Sequence, residues 1–200
     1  MRWLFLACAV WLGGCAAQSG LGAAIWYDGG RRIAPEGNKV WVCHGFGCYY
    51  RTPVAFRGRD IAAMRRIMGQ PRSAEAERAR IKPLIAWAER RVASEAGSAN
   101  DEAGLDLGNA RVRGQMDCLD EATNTTSYLL VAEANGLLRF HKVASPVARG
   151  YFLDGRYPHA TAVIKADGEA YAVDSWPIGN GEQPIIIPLD TWFAQSPARS

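Results

Sequence analysis

The chain has 200 residues, 48% of them hydrophobic and 22% charged, which excludes a disordered chain and a fibrous repeat. The net charge of +3 is unevenly placed, because residues 31–91 hold 14 basic against 5 acidic side chains and residues 92–200 hold 8 against 14. The basic stretch lacks the interleaved aromatic side chains of a nucleic-acid site, so no nucleic-acid partner is predicted. We interpret it as a solvated helical surface, with steering of an anionic partner as the alternative.

The first fifteen residues have the pattern of an export signal. Met1-Arg2 is a charged start, and the apolar run that follows is too short to span a membrane as a helix. Leu12-Gly13-Gly14-Cys15 resembles the bacterial lipobox, in which the chain is cut before the cysteine and that cysteine receives lipid. The resemblance implies a signal peptide over 1–14, a membrane anchor on Cys15 and, since Ala16 follows, the periplasmic face of the outer membrane. An ordinary secretory signal is the alternative, and in both cases the mature chain leaves the cytoplasm.

Three cysteines remain once Cys8 and Cys15 are assigned to the signal and the lipid. An odd number in an oxidising compartment predicts one disulfide and one free thiol. Cys43 and Cys48 enclose a short loop with two glycines and are predicted to form the disulfide. A metal site built on Cys43, His44 and Cys48 is the alternative, but it lacks a fourth ligand and zinc-finger spacing, so no metal is predicted. Cys118 is then the free thiol.

The N-terminal half of the mature chain is predicted to be a tether followed by helices. Residues 15–38 are rich in Gly and Ala and are predicted to be flexible, while 39–200 form one domain. Short strands or a pinned loop are expected beside the cysteine loop, and then a helix over 59–68. Ser73 caps a second helix, in which Pro83 is expected to cause a break or a kink.

A helix of about five turns is predicted to begin near Cys118 and to end at Asn135-Gly136. Its apolar face consists of Leu119, Ala122, Thr126, Leu129 and Leu130. A cysteine in the first turn lies at the positive end of the helix dipole, which stabilises a thiolate. Nearby carboxylates oppose that stabilisation, and they belong to Asp117, Asp120 and Glu121.

Downstream, strand periodicity appears over 138–143, 159–164 and 169–174. The last two segments are joined by a hairpin signal, Lys165-Ala166-Asp167-Gly168. A turn at Ala166-Asp167 places His159 directly opposite Asp174, whereas a turn at Asp167-Gly168 makes them diagonal neighbours. Both registers put them on one face of the sheet, within or near hydrogen-bonding distance; a three-residue loop would separate them.

A thiol at a helix start, a histidine at a strand start and an aspartate paired with it across a hairpin are the arrangement of an activated nucleophile. His159 takes the proton of the Cys118 thiol, and Asp174 fixes the tautomer of the imidazole and supports its charged form. The amide of Cys118 and the side chain of Gln115 are the candidate donors to the oxyanion. Trp176 either shields the His–Asp contact or belongs to the core. We interpret His141 as structural.

The motifs Gly114-Gln115-Met116-Asp117-Cys118-Leu119-Asp120-Glu121-Ala122, Pro158–Ile164 and Tyr171–Trp176 resemble those of the transglutaminase-like branch of the papain-like cysteine enzymes. The resemblance implies an α+β fold in which a helix opened by the nucleophile packs on an antiparallel sheet that carries His and Asp. Residues Cys118, His159 and Asp174 match the catalytic positions.

Some bacterial periplasmic members of that family are calcium-dependent proteases with acidic residues beside the cysteine. Asp117 and Asp120 resemble that arrangement, but Leu119 stands where an acid is expected, so no cofactor is predicted and calcium is the open alternative. The predicted function is a cysteine peptidase acting on protein or peptide amides. A transglutaminase or deamidase, and a catalytically silent, lipid-anchored binding or scaffold domain of the same fold, are the alternatives.

Overall fold

The structure is a computed structural model that describes residues 22–104, 107–150 and 158–195. The predicted signal peptide, Cys15 and the first part of the predicted tether lie outside these residues. In chain order the elements are α1 (Ala24–Tyr27), β1 (Lys39–His44), β2 (Tyr50–Ala55), α2 (Gly58–Met68), α3 (Ala74–Ala96), α4 (Cys118–Ala134), β3 (Lys142–Arg149), β4 (His159–Ala166), β5 (Glu169–Asp174), β6 (Ile185–Pro188) and α5 (Leu189–Ala194).

The fold is α+β, with helices packed against antiparallel sheets. Strands β3, β4, β5 and β6 form one antiparallel sheet in that order, and β1 pairs with β2 in a separate hairpin. Helix α4 packs on one face of the larger sheet, where Leu129 meets Ala162 and Ile164 in the main hydrophobic core. Helix α5 covers the opposite face, where Trp192 packs with Val163 and Ala172. The sheet is therefore buried on both faces along its central strands.

The register of the β4–β5 hairpin decides between the two predicted turns. Ala162 pairs with Val173 and Ala166 with Glu169, so the two-residue turn is Asp167-Gly168. Both turn residues have positive φ, 52° and 83°, as a type I′ turn requires. His159 and Asp174 are accordingly diagonal neighbours on one face, which is the second of the two predicted registers.

Helix α4 begins at Cys118 and spans 17 residues, close to the predicted length. The Asp117 carboxylate caps it by accepting the amides of Leu119 and Asp120. Many of its buried side chains are polar, and Thr123, Thr126 and Ser127 each donate to the carbonyl four residues earlier. These bonds satisfy the hydroxyls, so a helix with a polar composition can be buried at the centre of the fold.

Of the break or kink predicted at Pro83, the break is wrong, because α3 runs through Pro83 as one helix of 23 residues. Proline removes one helical hydrogen bond, to the carbonyl of Ala79. Ala79 is exposed, so water can take the place of the missing donor. Ile81 before the proline and Leu84 and Ile85 after it are fully buried in the core, so packing holds the helix on both sides of the defect.

Two further predictions are corrected. The strand expected over 138–143 begins only at Lys142, because the amides of residues 139–141 donate to the Glu77 carboxylate instead of to a neighbouring strand. The described part of the predicted tether is packed on the domain. Trp26 Nε1 donates to Thr123 Oγ1 at 2.9 Å, and the buried hydroxyl of Tyr27 lies 2.9 Å from Ser127 Oγ.

Candidate active site

A buried histidine and aspartate meet at the start of β4 and the end of β5. His159 Nε2 lies 2.6 Å from Asp174 Oδ2, and the two residues are 6% and 4% exposed. Trp192 of α5 donates its indole N–H to the same carboxylate oxygen at 2.8 Å. Asp174 is thus held by two donors from different elements, and the bond to Nε2 leaves Nδ1 as the ring nitrogen available for a proton. Nδ1 is buried and has no partner among the described residues.

Two indole rings enclose the imidazole of His159. Its ring centroid lies 4.6 Å from that of Trp176 and 5.3 Å from that of Trp192. Trp176 also packs against the buried cluster formed by Cys118, Ala122 and Ala160. It therefore links the histidine to the surroundings of the thiol, and its bulk restricts the access of water to both.

Cys118 occupies the first position of α4 beside the start of β4. It is the free cysteine among the described residues and is 5% exposed. Its Sγ lies 3.6 Å from the carbonyl oxygen of Pro158, the residue before His159, and its side chain packs on Ala160, the residue after it. The thiol thus contacts the two residues that flank His159 along the chain, and its hydrogen bond goes to the Pro158 carbonyl.

The surroundings of Cys118 keep the thiol protonated. Burial, then the charge of Asp117, and to a smaller extent those of Asp174 and Asp120, raise its pKa to about 12. The backbone amide of Ala160 acts in the opposite direction but is outweighed. The helix dipole and the neighbouring carboxylates have opposite effects on the thiol pKa, and in this arrangement the carboxylates and burial prevail.

The two acids beside Cys118 hold the disulfide loop. Asp120 accepts the amides of Phe46 and Cys48 on separate oxygens at 2.8 and 2.5 Å, and Asp117 Oδ2 accepts the amide of Gly47 at 3.1 Å. The other oxygen of Asp117 caps α4. All four carboxylate oxygens therefore already accept backbone amides, a donor arrangement that does not fit a calcium site, which needs these oxygens as ligands.

The predicted disulfide between Cys43 and Cys48 is confirmed. Their sulfurs and an Asp120 oxygen lie within 4.8 Å of one another, but bonded sulfurs are not thiolate ligands. The His44 ring is also engaged, since Nδ1 accepts the amide of Gly114 and Nε2 lies 2.9 Å from Thr52 Oγ1. Burial lowers the His44 pKa to about 4, so the ring is neutral. The alternative metal site on Cys43, His44 and Cys48 is therefore wrong.

The Gln115 side chain is used elsewhere than at an oxyanion. Its Nε2 donates to the carbonyl of Asn100 at 2.7 Å, and its Oε1 accepts from Asn109 Nδ2 and the amide of Glu102. The cause is the preceding Gly114, which has φ of 90° and packs so tightly against the Gly97 carbonyl that a Cβ would not fit. Gln115 thus fastens the loop after α3, and the prediction of Gln115 as an oxyanion donor is corrected.

The amide of Cys118 keeps its position as the candidate oxyanion donor. The Asp117 cap takes the amides of Leu119 and Asp120, and no acceptor for the Cys118 amide is found in the described part of the chain.

His141 has the structural role that was predicted for it. Its Nδ1 lies 2.9 Å from Glu77 Oε1, and its Nε2 faces Arg78 at 3.3 Å. The ring is 1% exposed, and both of its nitrogens contact residues near the start of α3.

Sequence reasoning missed the burial of two acidic side chains, one on α3 and one on α4. Glu89 and Glu121 are 2% and 4% exposed, and each has one carboxyl oxygen without a partner among the described residues. Burial raises the pKa of Glu89 to about 7 and moves that of Glu121 well above its usual range. Glu89 accepts the amide of Gly181 and a bond from Ser175, the residue after Asp174. Helical spacing had placed neighbours of Glu89 in the core, but nothing in the sequence marked the acid itself as buried.

A scan against models of known protein families, a search of curated proteins and a search of solved structures each gave no match for this chain. Within the residues described, no helix combines the length and the apolar character needed to cross a membrane.

Proposed function

We propose that the protein is a thiol-dependent acyl-transfer enzyme with a transglutaminase-like, papain-like core, acting as a cysteine peptidase on protein or peptide amides. The observation that carries the proposal is the buried bond between His159 Nε2 and Asp174, together with a free cysteine at a helix start whose Sγ lies 3.6 Å from the carbonyl oxygen of the residue before His159. A carboxylate on one ring nitrogen fixes the tautomer and leaves the other nitrogen to act as the base. The fold class agrees with this family at the coarse level of helices on an antiparallel sheet.

The proposed reaction starts from a neutral thiol. Cys118 Sγ attacks the amide carbonyl carbon while its proton passes to His159 Nδ1, and the carbonyl oxygen becomes an oxyanion near the Cys118 amide. The carbon–nitrogen bond then breaks, and His159 gives the proton to the departing amine, which leaves a thioester. Water attacks the thioester with His159 as base, the carboxylic acid product is released, and the proton returns to the sulfur.

Because the thiol pKa is raised, the base must take the proton during attack rather than beforehand. This requires Sγ to turn from the Pro158 carbonyl toward Nδ1 of His159, the neighbouring residue. The indoles of Trp176 and Trp192 exclude water from the imidazole and so strengthen its interaction with Asp174.

A catalytically silent binding domain of the same fold is the second candidate. The observation that favours it is the protonated, buried thiol, which is bonded to a backbone carbonyl and surrounded by carboxylates. Deamidation and cross-linking remain alternatives within the enzyme proposal, since all three reactions pass through the same thioester.

The test is hydrolysis of a fluorogenic peptide-amide library by the wild type and by Cys118→Ala, His159→Ala and Asp174→Asn. Each variant is expected to lose about 100-fold or more in kcat/KM. Asp190→Asn, which changes an exposed acid on α5, is the matched control and is expected to retain activity. Turnover that survives Cys118→Ala contradicts the enzyme proposal, and so does a wild type that forms no acyl adduct by mass spectrometry with any library member.

We further propose that the mature chain is exported, carries lipid on Cys15 and faces the periplasm from the outer membrane. The Cys43–Cys48 disulfide supports export, because such bonds persist in oxidising compartments.

A further inference from the structure

A basic groove lies between the β1–β2 hairpin and the helices α2 and α3. It has a volume of about 670 Å³, and its lining residues are Lys39, Pro53, Ala55, Arg57, Arg59, Arg90, Arg91, Ser94 and Glu95. None of the candidate catalytic residues belongs to it. The groove gathers part of the basic stretch seen in the sequence, which the proposed acyl-transfer reaction does not use.

The groove has an excess of positive charge that its own acids do not neutralise. Five basic side chains line it, against the one carboxylate of Glu95. A second carboxylate, the buried Asp60, lies 3.1 Å from Arg91 Nε and 3.8 Å from Arg59 Nε. Two acids thus face five cations, and a net of three positive charges converges on one concavity.

Some of the basic side chains that line the groove form no strong contact within the described residues. Arg91 is held by Asp60 and by Glu95, and Arg90 donates to the carbonyl of Gly181. In the part of the chain that the structure describes, neither Lys39 nor Arg57 forms an ion pair, and Arg59 has only the long contact to Asp60. Lys39 Nζ also lies 4.5 Å from the ring centroid of Trp41, but a cation–π contact at an exposed side chain is weak. These three side chains can therefore turn to a ligand without first losing a strong internal bond.

The chemistry of the lining selects phosphate. Four of the five cations are arginines, whose planar guanidinium groups bind two phosphate oxygens at once. The volume exceeds what one inorganic phosphate fills and lies within the range of ordinary ligand pockets. The arginines come from three places, the chain before α2, the first turn of α2 and the end of α3, so they surround a ligand rather than form a flat patch.

We propose that this groove is a binding site for a ligand with two or more linked phosphate groups. A soluble oligophosphate and the headgroup of cardiolipin, an anionic phospholipid in which glycerol links two phosphates, present the same chemistry, and the experiment below distinguishes them. The inference does not depend on the proposed enzyme activity, because the groove and the cysteine are built from different residues.

The test is isothermal titration of the purified chain with tripolyphosphate at physiological salt, together with co-sedimentation on phosphatidylcholine vesicles with and without cardiolipin. The test variant is Arg57→Gln with Arg59→Gln, which removes two exposed groove cations. The matched control is Arg65→Gln with Arg66→Gln, which removes two exposed cations of the same helix that lie outside the groove. Circular dichroism and thermal unfolding establish that both variants are folded.

Saturable binding of tripolyphosphate is expected, weakened about tenfold or more in the groove variant and unchanged in the control. Sedimentation with cardiolipin-containing vesicles that is lost only in the groove variant identifies a lipid headgroup as the ligand, and its absence identifies a soluble oligophosphate. Three results would overturn the proposal: no saturable binding, an equal loss in both variants, or equally tight binding of a polyglutamate peptide of matched charge.

Discussion

At the scale of single residues, the charge state of Cys118 follows from what surrounds it. The helix dipole favours a thiolate at the first position of α4, but the thiol is buried and lies beside two carboxylates that are themselves held in place by the disulfide loop. Burial is the largest cause and Asp117 the second, and the surroundings as a whole raise the thiol pKa to about 12. A protonated resting thiol is the consequence.

Alkylation of Cys118 by iodoacetamide should therefore be slow at neutral pH and should increase up to the highest pH at which the chain stays folded. The rate follows the thiolate fraction, which a raised pKa keeps small. Asp117→Asn should speed the reaction at fixed pH, because it removes the second largest cause of the shift while an asparagine still caps the helix. The measurement is the pH profile of adduct formation by mass spectrometry.

Asp190→Asn is the control for this experiment, since it removes an exposed charge on α5. A profile centred near the usual thiol value of about 8.5 in the wild type would contradict the raised pKa. A profile centred well below that value and dependent on His159 would instead indicate a preformed thiolate–imidazolium pair.

At the scale of elements, Glu77 joins the first turn of α3 to the segment that precedes β3. Its carboxylate is fully buried and accepts the amides of Arg139, Phe140 and His141 as well as the His141 ring. Burial raises the pKa of Glu77, but these hydrogen bonds together outweigh burial and lower it. The two elements are thus connected through one ionised side chain.

Glu77→Gln should lower the free energy of unfolding by about 2–4 kcal/mol, because the neutral amide accepts fewer bonds and leaves buried donors unpaired. Glu75→Gln, an exposed change in the same turn, should alter it by less than about 0.5 kcal/mol. Urea denaturation at pH 7 measures both. A loss of equal size in the two variants would show that the helix dipole, and not the buried network, is the source of the effect.

Sequence patterns predicted the elements that local chemistry determines. The helix from Cys118, its end at Asn135, and the β4–β5 hairpin follow from capping residues, apolar spacing and a type I′ turn signal. The predictions failed where a distant side chain decides the outcome. Glu77 takes the amides that a strand over 138–143 would have used, and core packing carries α3 through Pro83.

The candidate site was predictable to the same extent. Alternation along the hairpin brought His159 to Asp174, because both lie in one supersecondary unit. The indole of Trp192, which comes from α5 and bonds the same carboxylate, had no sequence signal beyond being an aromatic residue after a strand. Gln115 was misassigned because the turn at Gly114, set by its contact with Gly97, directs the side chain away.

At the scale of the whole molecule, acidic side chains whose pKa values are shifted in opposite directions determine how the free energy of unfolding depends on pH. Glu77 has a lowered pKa, so its contribution is present above the unfolded value of about 4.5 and is lost as the pH falls through its folded value. Glu89 and Asp101 have pKa values raised to about 7 by burial. Their contribution to the free energy of unfolding is complete below their pKa values in the unfolded chain, and it is lost as the pH rises to about 7. Stability should therefore be greatest at mildly acidic pH.

The free energy of unfolding should fall between pH 5.5 and pH 8, with Glu89 alone accounting for about 2 kcal/mol, since its pKa moves from 4.5 to about 7 and part of the loss already occurs below pH 5.5. Glu89→Gln keeps an acceptor for the Gly181 amide but cannot ionise, so it should flatten this part of the profile. The exposed Glu182→Gln is the matched control and should leave the slope unchanged. Urea denaturation across this pH range is the measurement, and a wild-type profile that is flat or rises toward pH 8 would mean that the buried carboxyl groups ionise in the folded protein without cost.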